Sequence, residues 1–423
     1  MRKVSRRIVS AARSRRALVL ASLAALVAGA VAVSATAGTA SSAKTPPKTP
    51  EGIAIGKACG QVPHATIPKS AAKTAIAGEY YGFPSHVLPS IYKNWKPKGK
   101  PPYTVAIDYG PLINPWNAYV YRLVQKYLKA SPLVGKVIAV TRRSNTDPNE
   151  SQQTYSAMVA QKPNLIITLE GLQVILPLVH QAARQGIATI SLINNKNDAA
   201  TVDIAPNTYL NVTETVAPLL KQIGGGGNWL FVHAIPGIST DTNSYNAFKA
   251  TLAQCPKAKI AGEVNSFFST AAAKGATLQF ISTHPEKIDA AFDVAVVGPS
   301  VLQAFVQLGK PVPALADPST QNGTLGYWGQ NRSWHFAATI GGATAFSDLA
   351  AKVATRMLAG EGPKLNTVVW AQPALSPANA AKYAKSSWTL DTQGSVDIQQ
   401  STYTTKQLDS LFMRPKLKKG VRG

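Results

Sequence analysis

Amides, carboxylates and aromatic rings recur directly after predicted strands along this chain. In the stretch from Tyr103 to Lys129, the strand-like run Tyr103–Ile107 precedes a loop that contains Asn114 and Trp116. The other candidates follow later strands and are Glu170, Asn194, Asn195, Asn207, Asp241, Asn243, Phe268, Asp293 and Asp317. Amides and carboxylates form hydrogen bonds with hydroxyl groups, and flat rings stack on the apolar face of a sugar. Together these residues predict a binding site for a neutral, polyhydroxylated ligand.

Each of these residues also has an ordinary structural explanation. Pro115 disfavours helix at Asn114 and suits the start of a helix, so Asn114 is also the expected turn residue. The apolar spacing from Trp116 through Val120 and Val124 predicts a helix with one buried face, on which Trp116 would pack in the core. Taken alone, the stretch from Tyr103 to Lys129 favours this structural alternative. The recurrence of polar and aromatic residues after strands in two domains favours binding.

The residues that catalysis would need are not assembled in the sequence. The six histidines are scattered, and neither G-x-S-x-G nor H-E-x-x-H occurs. His233 ends a predicted strand near Asp241, but no activated nucleophile accompanies the pair. The run Gly224–Gly227 precedes a strand, whereas a phosphate-binding loop follows one. We therefore predict no enzymatic activity, no cofactor and no metal site.

Strand-like runs alternate with helix-length segments from Tyr103 onward, in two successive series. The first series comprises Tyr103–Ile107, Val137–Thr141, Leu165–Leu169, Ile187–Ile193 and Val202–Ala205. The second comprises Trp229–Ala234, Lys259–Val264, Ile288–Phe292 and Val312–Ala316. Such alternation predicts an α/β protein with two parallel sheets covered on both faces, and hence two domains. Ligands of such sheets bind in the loops at the carboxyl ends of the strands.

Segments with a different composition flank this region. The predicted divisions are a signal peptide at 1–43, a Pro- and Lys-rich extension at 44–102, a first lobe at 103–209, a second lobe at 210–335, a return to the first lobe with the hinge at 336–372, and a tail at 373–423. Residues 1–43 have a basic start, an apolar run and the cleavage candidate Ala35-Thr36-Ala37. Arg15-Arg16 resembles a twin-arginine signal, and an uncleaved anchor is the alternative to cleavage. We therefore predict an exported, extracytoplasmic protein.

The formal net charge of +24 is concentrated near the ends of the chain. Seven basic residues lie within 1–43, and five more lie among the last eleven residues. This placement predicts affinity for an anionic cell envelope rather than for nucleic acid. The two cysteines, Cys59 and Cys255, form one bridge if an oxidising compartment brings them together.

Several stretches between Tyr103 and Trp370 resemble the periplasmic sugar-binding proteins of ribose-binding type, which are the substrate-binding components of ABC importers. The matching stretches are Asn114-Pro115-Trp116, Asn145 to Gln153, Ile187 to Leu192, Thr283 to Phe292 and Phe336 to Gly342. The resemblance implies two Rossmann-like lobes, three crossovers in the hinge, and lobe closure on a sugar or polyol for delivery to a permease. It places Asn114, Trp116 and Asp317 at ligand-contact positions, with Phe268 or Phe267 near a second stacking ring.

The chain also departs from this family pattern. Ile193 and Asn194 stand where ribose-binding members have Asp-Arg, and Gly342 stands where they have Gln. The family has an arginine early in the helix after Trp229–Ala234, and the matching positions Asp241–Ser244 contain none. Val294 stands where the family has an asparagine. These departures indicate a small polar ligand other than ribose and leave open whether it is a sugar. A sensory receptor of the same fold, which signals to a membrane kinase, is the alternative function.

Overall fold

Two six-stranded sheets, each covered by helices, form the framework of this molecule. The computed structural model describes residues 48–49, 53–144, 146–169, 172–194, 198–399 and 403–415. The strands are β1 (Tyr103–Tyr109), β2 (Val134–Thr141), β3 (Leu165–Thr168), β4 (Ala188–Leu192), β5 (Val202–Pro206), β6 (Gly226–His233), β7 (Lys257–Asn265), β8 (Ala290–Asp293), β9 (Ala314–Asp317), β10 (Phe336–Thr339), β11 (Thr367–Trp370) and β12 (Ala374–Leu375). The predicted signal peptide at 1–43 lies outside the described residues.

Helices alternate with these strands along the chain. They are α1 (Ile55–Ala58), α2 (Pro115–Ala130), α3 (Pro148–Ala160), α4 (Leu172–Arg184), α5 (Thr208–Gln222), α6 (Ser239–Leu252), α7 (Thr270–Thr283), α8 (Gly298–Gln307), α9 (Asn322–Gln330), α10 (Ala343–Leu358) and α11 (Thr405–Ser410). The α2 and α3 helices begin as their sequences predict, because Asn114 and Asp147 cap the first backbone N–H groups and a proline follows each cap.

The first sheet has the strand order β11-β5-β4-β3-β1-β2 and is parallel throughout. The second sheet has the order β12-β10-β9-β8-β6-β7, in which only the edge strand β12 is antiparallel. Every residue of β3, β4, β8 and β9 is buried, as expected for parallel strands that are covered on both faces. The predicted fold, two Rossmann-like lobes with parallel sheets, is confirmed.

The chain crosses between the sheets three times: between β5 and α5, between β10 and α10, and between β11 and β12. The predicted return to the first lobe at residue 336 begins too early, because Phe336–Thr339 pairs with β9 in the second sheet. The return starts after this strand, with α10, which packs on α2. Gln372 joins the crossovers, since its side-chain amide bonds with Asn211 and Thr339.

The segment at 53–102 packs across the hinge side of both lobes. The Tyr80 hydroxyl donates to the Thr367 carbonyl at 2.8 Å, and the Tyr92 hydroxyl donates to the Ala200 carbonyl at 2.7 Å. The predicted bridge is confirmed, because Cys59 is disulfide-bonded to Cys255 in the second lobe.

The tail also packs on the folded lobes. Asp397 accepts hydrogen bonds from Thr344 at the start of α10, and the Tyr403 hydroxyl donates to Val369 in the first sheet. Asp409 forms an ion pair with Arg356 at 2.6 Å.

Candidate functional site

A cavity of about 440 Å³ lies between the two lobes, where the carboxyl ends of both sheets face each other. Residues of the first lobe that line it include Trp116, Leu192 and Asn194, and residues of the second lobe include Ile235, Phe268 and Val296. Trp370 lines it next to the hinge. This volume is in the range of small-molecule binding sites, and its position is the one expected for open α/β sheets.

Hydrogen bonds between described residues join the lobes beside the cavity. The Asn114 side-chain Nδ2 donates to the Phe268 carbonyl at 3.1 Å. The Thr240 hydroxyl donates to the Ile193 carbonyl at 3.0 Å. Because each bond pairs a residue of one lobe with a residue of the other, the structure shows the lobes in a closed arrangement.

Four of the predicted site residues lie on the cavity wall: Asn114, Trp116, Asn194 and Phe268. Glu170 and Asn195 lie outside the described residues. Asn114 caps α2 and also lies on the cavity wall, and its role in ligand binding stays a prediction.

Trp116 is largely a packed residue with one face at the cavity. Its side chain is 5% exposed and contacts the rings of Phe346 and Trp370 at centroid distances of 5.3 and 6.2 Å. Its indole Nε1 donates to the Gly341 carbonyl at 2.7 Å, which ties α2 to the second crossover. The packing explanation of Trp116 is therefore confirmed, and its role in ligand binding stays a prediction.

Asp293 and Asp317 do not line the cavity, although both were predicted as site residues. They are fully buried beneath it in the second lobe. Asp293 accepts a hydrogen bond from the Val297 N–H at 3.1 Å, and Asp317 accepts one from the Thr324 hydroxyl at 2.6 Å. Their carboxyl groups are thus turned into their own lobe, and the loop residues that follow them form the wall instead.

Asn207, Asp241 and Asn243 are also absent from the described cavity wall. Asn207 caps α5 and donates to the carbonyls of the N-terminal segment at Glu79 and Tyr81. Asp241 accepts from the backbone N–H that follows β6 and lies 2.8 Å from His233 Nδ1. Asn243 lies on α6 without facing the cavity. Hydrogen bonds within the protein satisfy the side chains of Asn207 and Asp241, and position at a strand end gives no sign of these bonds.

Strained backbone marks the cavity more specifically than polarity does. Among the described lining residues, four other than glycine have a positive φ: Ile193 at 59°, Phe268 at 58°, Val296 at 61° and Ser319 at 63°. Each follows a strand directly or within a few residues. β-branched residues rarely adopt this conformation, and such strain concentrates at binding sites. Sequence reasoning missed Val296 and Ser319, because neither residue type signals a left-handed backbone.

Arg142 is a lining residue that the sequence did not single out. Its guanidinium is buried and lies 3.1 Å from the Asp108 carboxylate at the end of β1. It also donates to the Leu169 carbonyl at 2.6 Å and to the Ser151 hydroxyl at 3.3 Å. The positive charge is therefore balanced within the first lobe.

No group of three or more potential metal ligands occurs within the described part of the chain. Likewise, none of the described helices is both long enough and apolar enough to span a membrane.

Known proteins resemble this chain over most of its length. Three solved structures of ABC-transporter solute binding proteins resemble it in fold. That of Thermobispora bispora has a TM-score of 0.62 and 22% identity, over 73% of this chain and 93% of that one. That of Bacillus halodurans, with bound myo-inositol, has a TM-score of 0.61 and 13% identity, over 68% and 98%. That of Actinobacillus succinogenes, with bound D-allose, has a TM-score of 0.58 and 14% identity, over 66% and 100%.

At the sequence level, a search of curated proteins finds no significant match. The family model described as a periplasmic binding protein domain matches residues 107–362, which is more than half of the chain. The chain belongs to the periplasmic binding protein family.

Proposed function

We propose that the protein is the extracytoplasmic solute-binding component of an ABC importer. It captures a small uncharged solute of the sugar or polyol class between its lobes and delivers it to a permease. The observation that carries this proposal is the cavity at the strand ends, with hydrogen bonds that join the lobes beside it. The structures named above come from proteins of this kind, and two of them hold myo-inositol and D-allose.

Binding without catalysis is consistent with the side chains in and near the cavity. His233 lies between the carboxylates of Asp241 and Glu263, at 2.8 and 3.1 Å, in the second lobe. A histidine held between two acids in this way orders the end of β6. We propose that it has no catalytic role.

Residues 1–43 direct export in this proposal, and the apolar segment is removed at Ala37 or near Ala43. The twin arginines at Arg15-Arg16 select the export route. The basic residues of the tail contact the anionic envelope, where the permease partner resides.

A thermal-shift screen of the purified chain with neutral sugars and polyols tests the binding function. A solute present at about 100 times its Kd should add about 2.7 kcal/mol to the free energy of unfolding. Calorimetry should then give one site per chain. Ala295→Trp, which fills the cavity, should abolish the shift, whereas Val306→Trp on the exposed face of α8 should preserve it. If no neutral solute raises the melting temperature, the proposed function is wrong.

A further inference from the structure

Gln173 is a polar residue of the cavity wall that the sequence did not single out. Resting on the proposed function, we propose that it is a specificity-determining residue for the solute. Its side-chain amide binds two neighbouring hydroxyl groups of a sugar or polyol from the side of the first lobe. Its position, its unengaged amide and the apolar character of the second-lobe wall each support this inference.

The position of Gln173 exposes its side chain at the cavity. It is the second residue of α4, which begins shortly after the carboxyl end of β3. The β3 strand is an inner strand of the first sheet, and ligands of open α/β sheets bind beyond the carboxyl ends of the strands. The Gln173 side chain lines the cavity and is exposed. A solute in the cavity can therefore reach the amide without rearrangement of the protein.

The side-chain amide of Gln173 forms no hydrogen bond within the described part of the chain. An amide offers one carbonyl oxygen as an acceptor and two N–H groups as donors. Neighbouring hydroxyl groups of a sugar can bind it together, because one donates to the oxygen while the other accepts from the nitrogen. A solute with a pair of adjacent hydroxyl groups therefore uses the full capacity of this side chain.

Other polar side chains of the wall already bond to the protein. The Asn114 amide donates to the Phe268 carbonyl, and the Thr240 hydroxyl donates to the Ile193 carbonyl. The Asp147 carboxylate accepts hydrogen bonds from the first N–H groups of α3. A group with a protein partner must give up that bond, or share it, when it binds a solute hydroxyl. Gln173 exchanges only water, so it gains more from the solute.

The second lobe contributes mainly apolar side chains to the wall, among them Val212, Ile235 and Phe268. Its residues Thr208 and Ser244 also line the cavity, but they are only 4% and 2% exposed and offer a solute little polar surface. The C–H groups of a sugar gain free energy against such an apolar wall, whereas hydroxyl groups there would lose their bonds to water. Recognition of hydroxyl groups therefore falls to the first lobe.

Gln173→Met tests this role, with Gln181→Met as the matched control. Glutamine and methionine have similar lengths and helix propensities, so the substitution removes the amide and little else. Gln181 is also exposed and lies about two turns further along α4, but it does not line the cavity. Both variants should keep the melting temperature of the solute-free chain.

Calorimetric titration with myo-inositol, D-allose and any further solute that the thermal-shift screen identifies measures the effect. The unmodified chain and Gln181→Met should bind with the same affinity at one site per chain. Gln173→Met should bind about fivefold to fiftyfold more weakly, as expected for the loss of two neutral hydrogen bonds.

Monodeoxy derivatives of the sugar or cyclitol that binds test the contact itself, since each lacks one hydroxyl group. With the unmodified chain, removal of either of two neighbouring hydroxyl groups should weaken binding about threefold to tenfold. The same two losses should disappear in Gln173→Met, because the partner of these hydroxyl groups is already gone, and should persist in Gln181→Met. A merely structural role of Gln173 would leave these losses in place.

The remaining outcomes separate the inference from the proposed function. If a sugar or polyol binds equally to the unmodified chain and to Gln173→Met, or if the deoxy losses persist in Gln173→Met, the inference is wrong and the proposed function stands. If no sugar or polyol binds the unmodified chain, the proposed function fails, and the inference that rests on it fails as well.

Discussion

Both lobes bury carboxyl groups near the ends of strands but neutralise them differently. In the first lobe, Asp108 at the end of β1 lies 3.1 Å from the Arg142 guanidinium and accepts a hydrogen bond from the Thr168 hydroxyl. In the second lobe, Asp293 and Asp317 end the adjacent strands β8 and β9 and lie beside each other, with no described cation paired to either of them. A cation therefore compensates the first lobe, and a proton compensates the second.

The pKa values of the second-lobe pair reflect this difference. Burial raises the pKa of Asp317 to about 7. Burial, together with repulsion from Asp317, raises the pKa of Asp293 well above its usual range. Two carboxyl groups in contact cannot both ionise readily, so they share a proton at neutral pH. In the first lobe burial also raises the pKa of Asp108, but the Arg142 charge opposes that effect.

A cleft with several buried acids beneath it can therefore be suited to a neutral solute. Each lobe compensates these buried carboxyl groups internally, so Asp108, Asp293 and Asp317 present no uncompensated charge to the cavity. The two ways of compensating charge are lost under different conditions. The ion pair of the first lobe depends on one side chain, whereas the shared proton of the second lobe depends on pH.

The largest effect should follow removal of the cation. Arg142→Met leaves Asp108 buried without its charge partner, which should lower the free energy of unfolding by about 3–5 kcal/mol. Urea unfolding at pH 7 measures this loss. Arg143→Met is the matched control, because Arg143 pairs with Glu150 while its side chain is 93% exposed. The control should change the stability by less than about 1 kcal/mol.

Equal effects of the two arginine variants would contradict the ion pair as the means by which the first lobe compensates its carboxylate. In that case Asp108 would be held as a neutral acid, and a proton would compensate the buried carboxyl groups of both lobes.

The second lobe should respond to pH. The pKa of Asp317 is raised from 3.8 to about 7, so the native state keeps a proton that the unfolded chain releases above about pH 4. The resulting stabilisation is complete below pH 3.8 and is lost as the pH rises toward 7, by up to about 4 kcal/mol. Asp317→Asn cannot release a proton. Its stability relative to the unmodified chain should therefore increase between pH 4 and pH 7.

Urea unfolding of both proteins at intervals across this range gives the difference directly. A stability difference that stays constant with pH would show that Asp317 is not a proton carrier in the native state.

The sequence predicts the framework well because local patterns determine it. Regular alternation of strands and helices leads to two parallel sheets, and the proline after Asn114 leads to the capped start of α2. The exception is Phe336–Thr339, whose assignment to the second sheet depends on pairing with β9. A four-residue apolar strand carries no local signal of which sheet it joins.

The site was predicted less completely because side-chain direction is decided by contacts that are distant in sequence. Asp317 is the last residue of β9, and Val296 lies shortly after β8. The carboxyl group of Asp317 is buried inside the lobe, whereas Val296 forms part of the cavity wall. Thr208 and Trp370 reach the cavity only because β5 and β11 are neighbours in the first sheet. Polar character suggested Asn207, whereas the fold placed the next residue, Thr208, at the cavity.

The smallest effect should appear where the lobes meet, and it tests whether they face one cavity as closed partners. The Thr240 hydroxyl on α6 donates to the Ile193 carbonyl across the cleft at 3.0 Å. Thr240→Val removes this bond and should shift the ligand-free population toward the open form by about 1 kcal/mol, or roughly fivefold. Small-angle X-ray scattering should then report a larger radius of gyration. Thr251→Val removes a bond to Ala247 within the same helix and should leave the radius unchanged. An unchanged radius in both variants would mean that this bond does not hold the lobes together, and that other contacts beside the cavity set the closed arrangement.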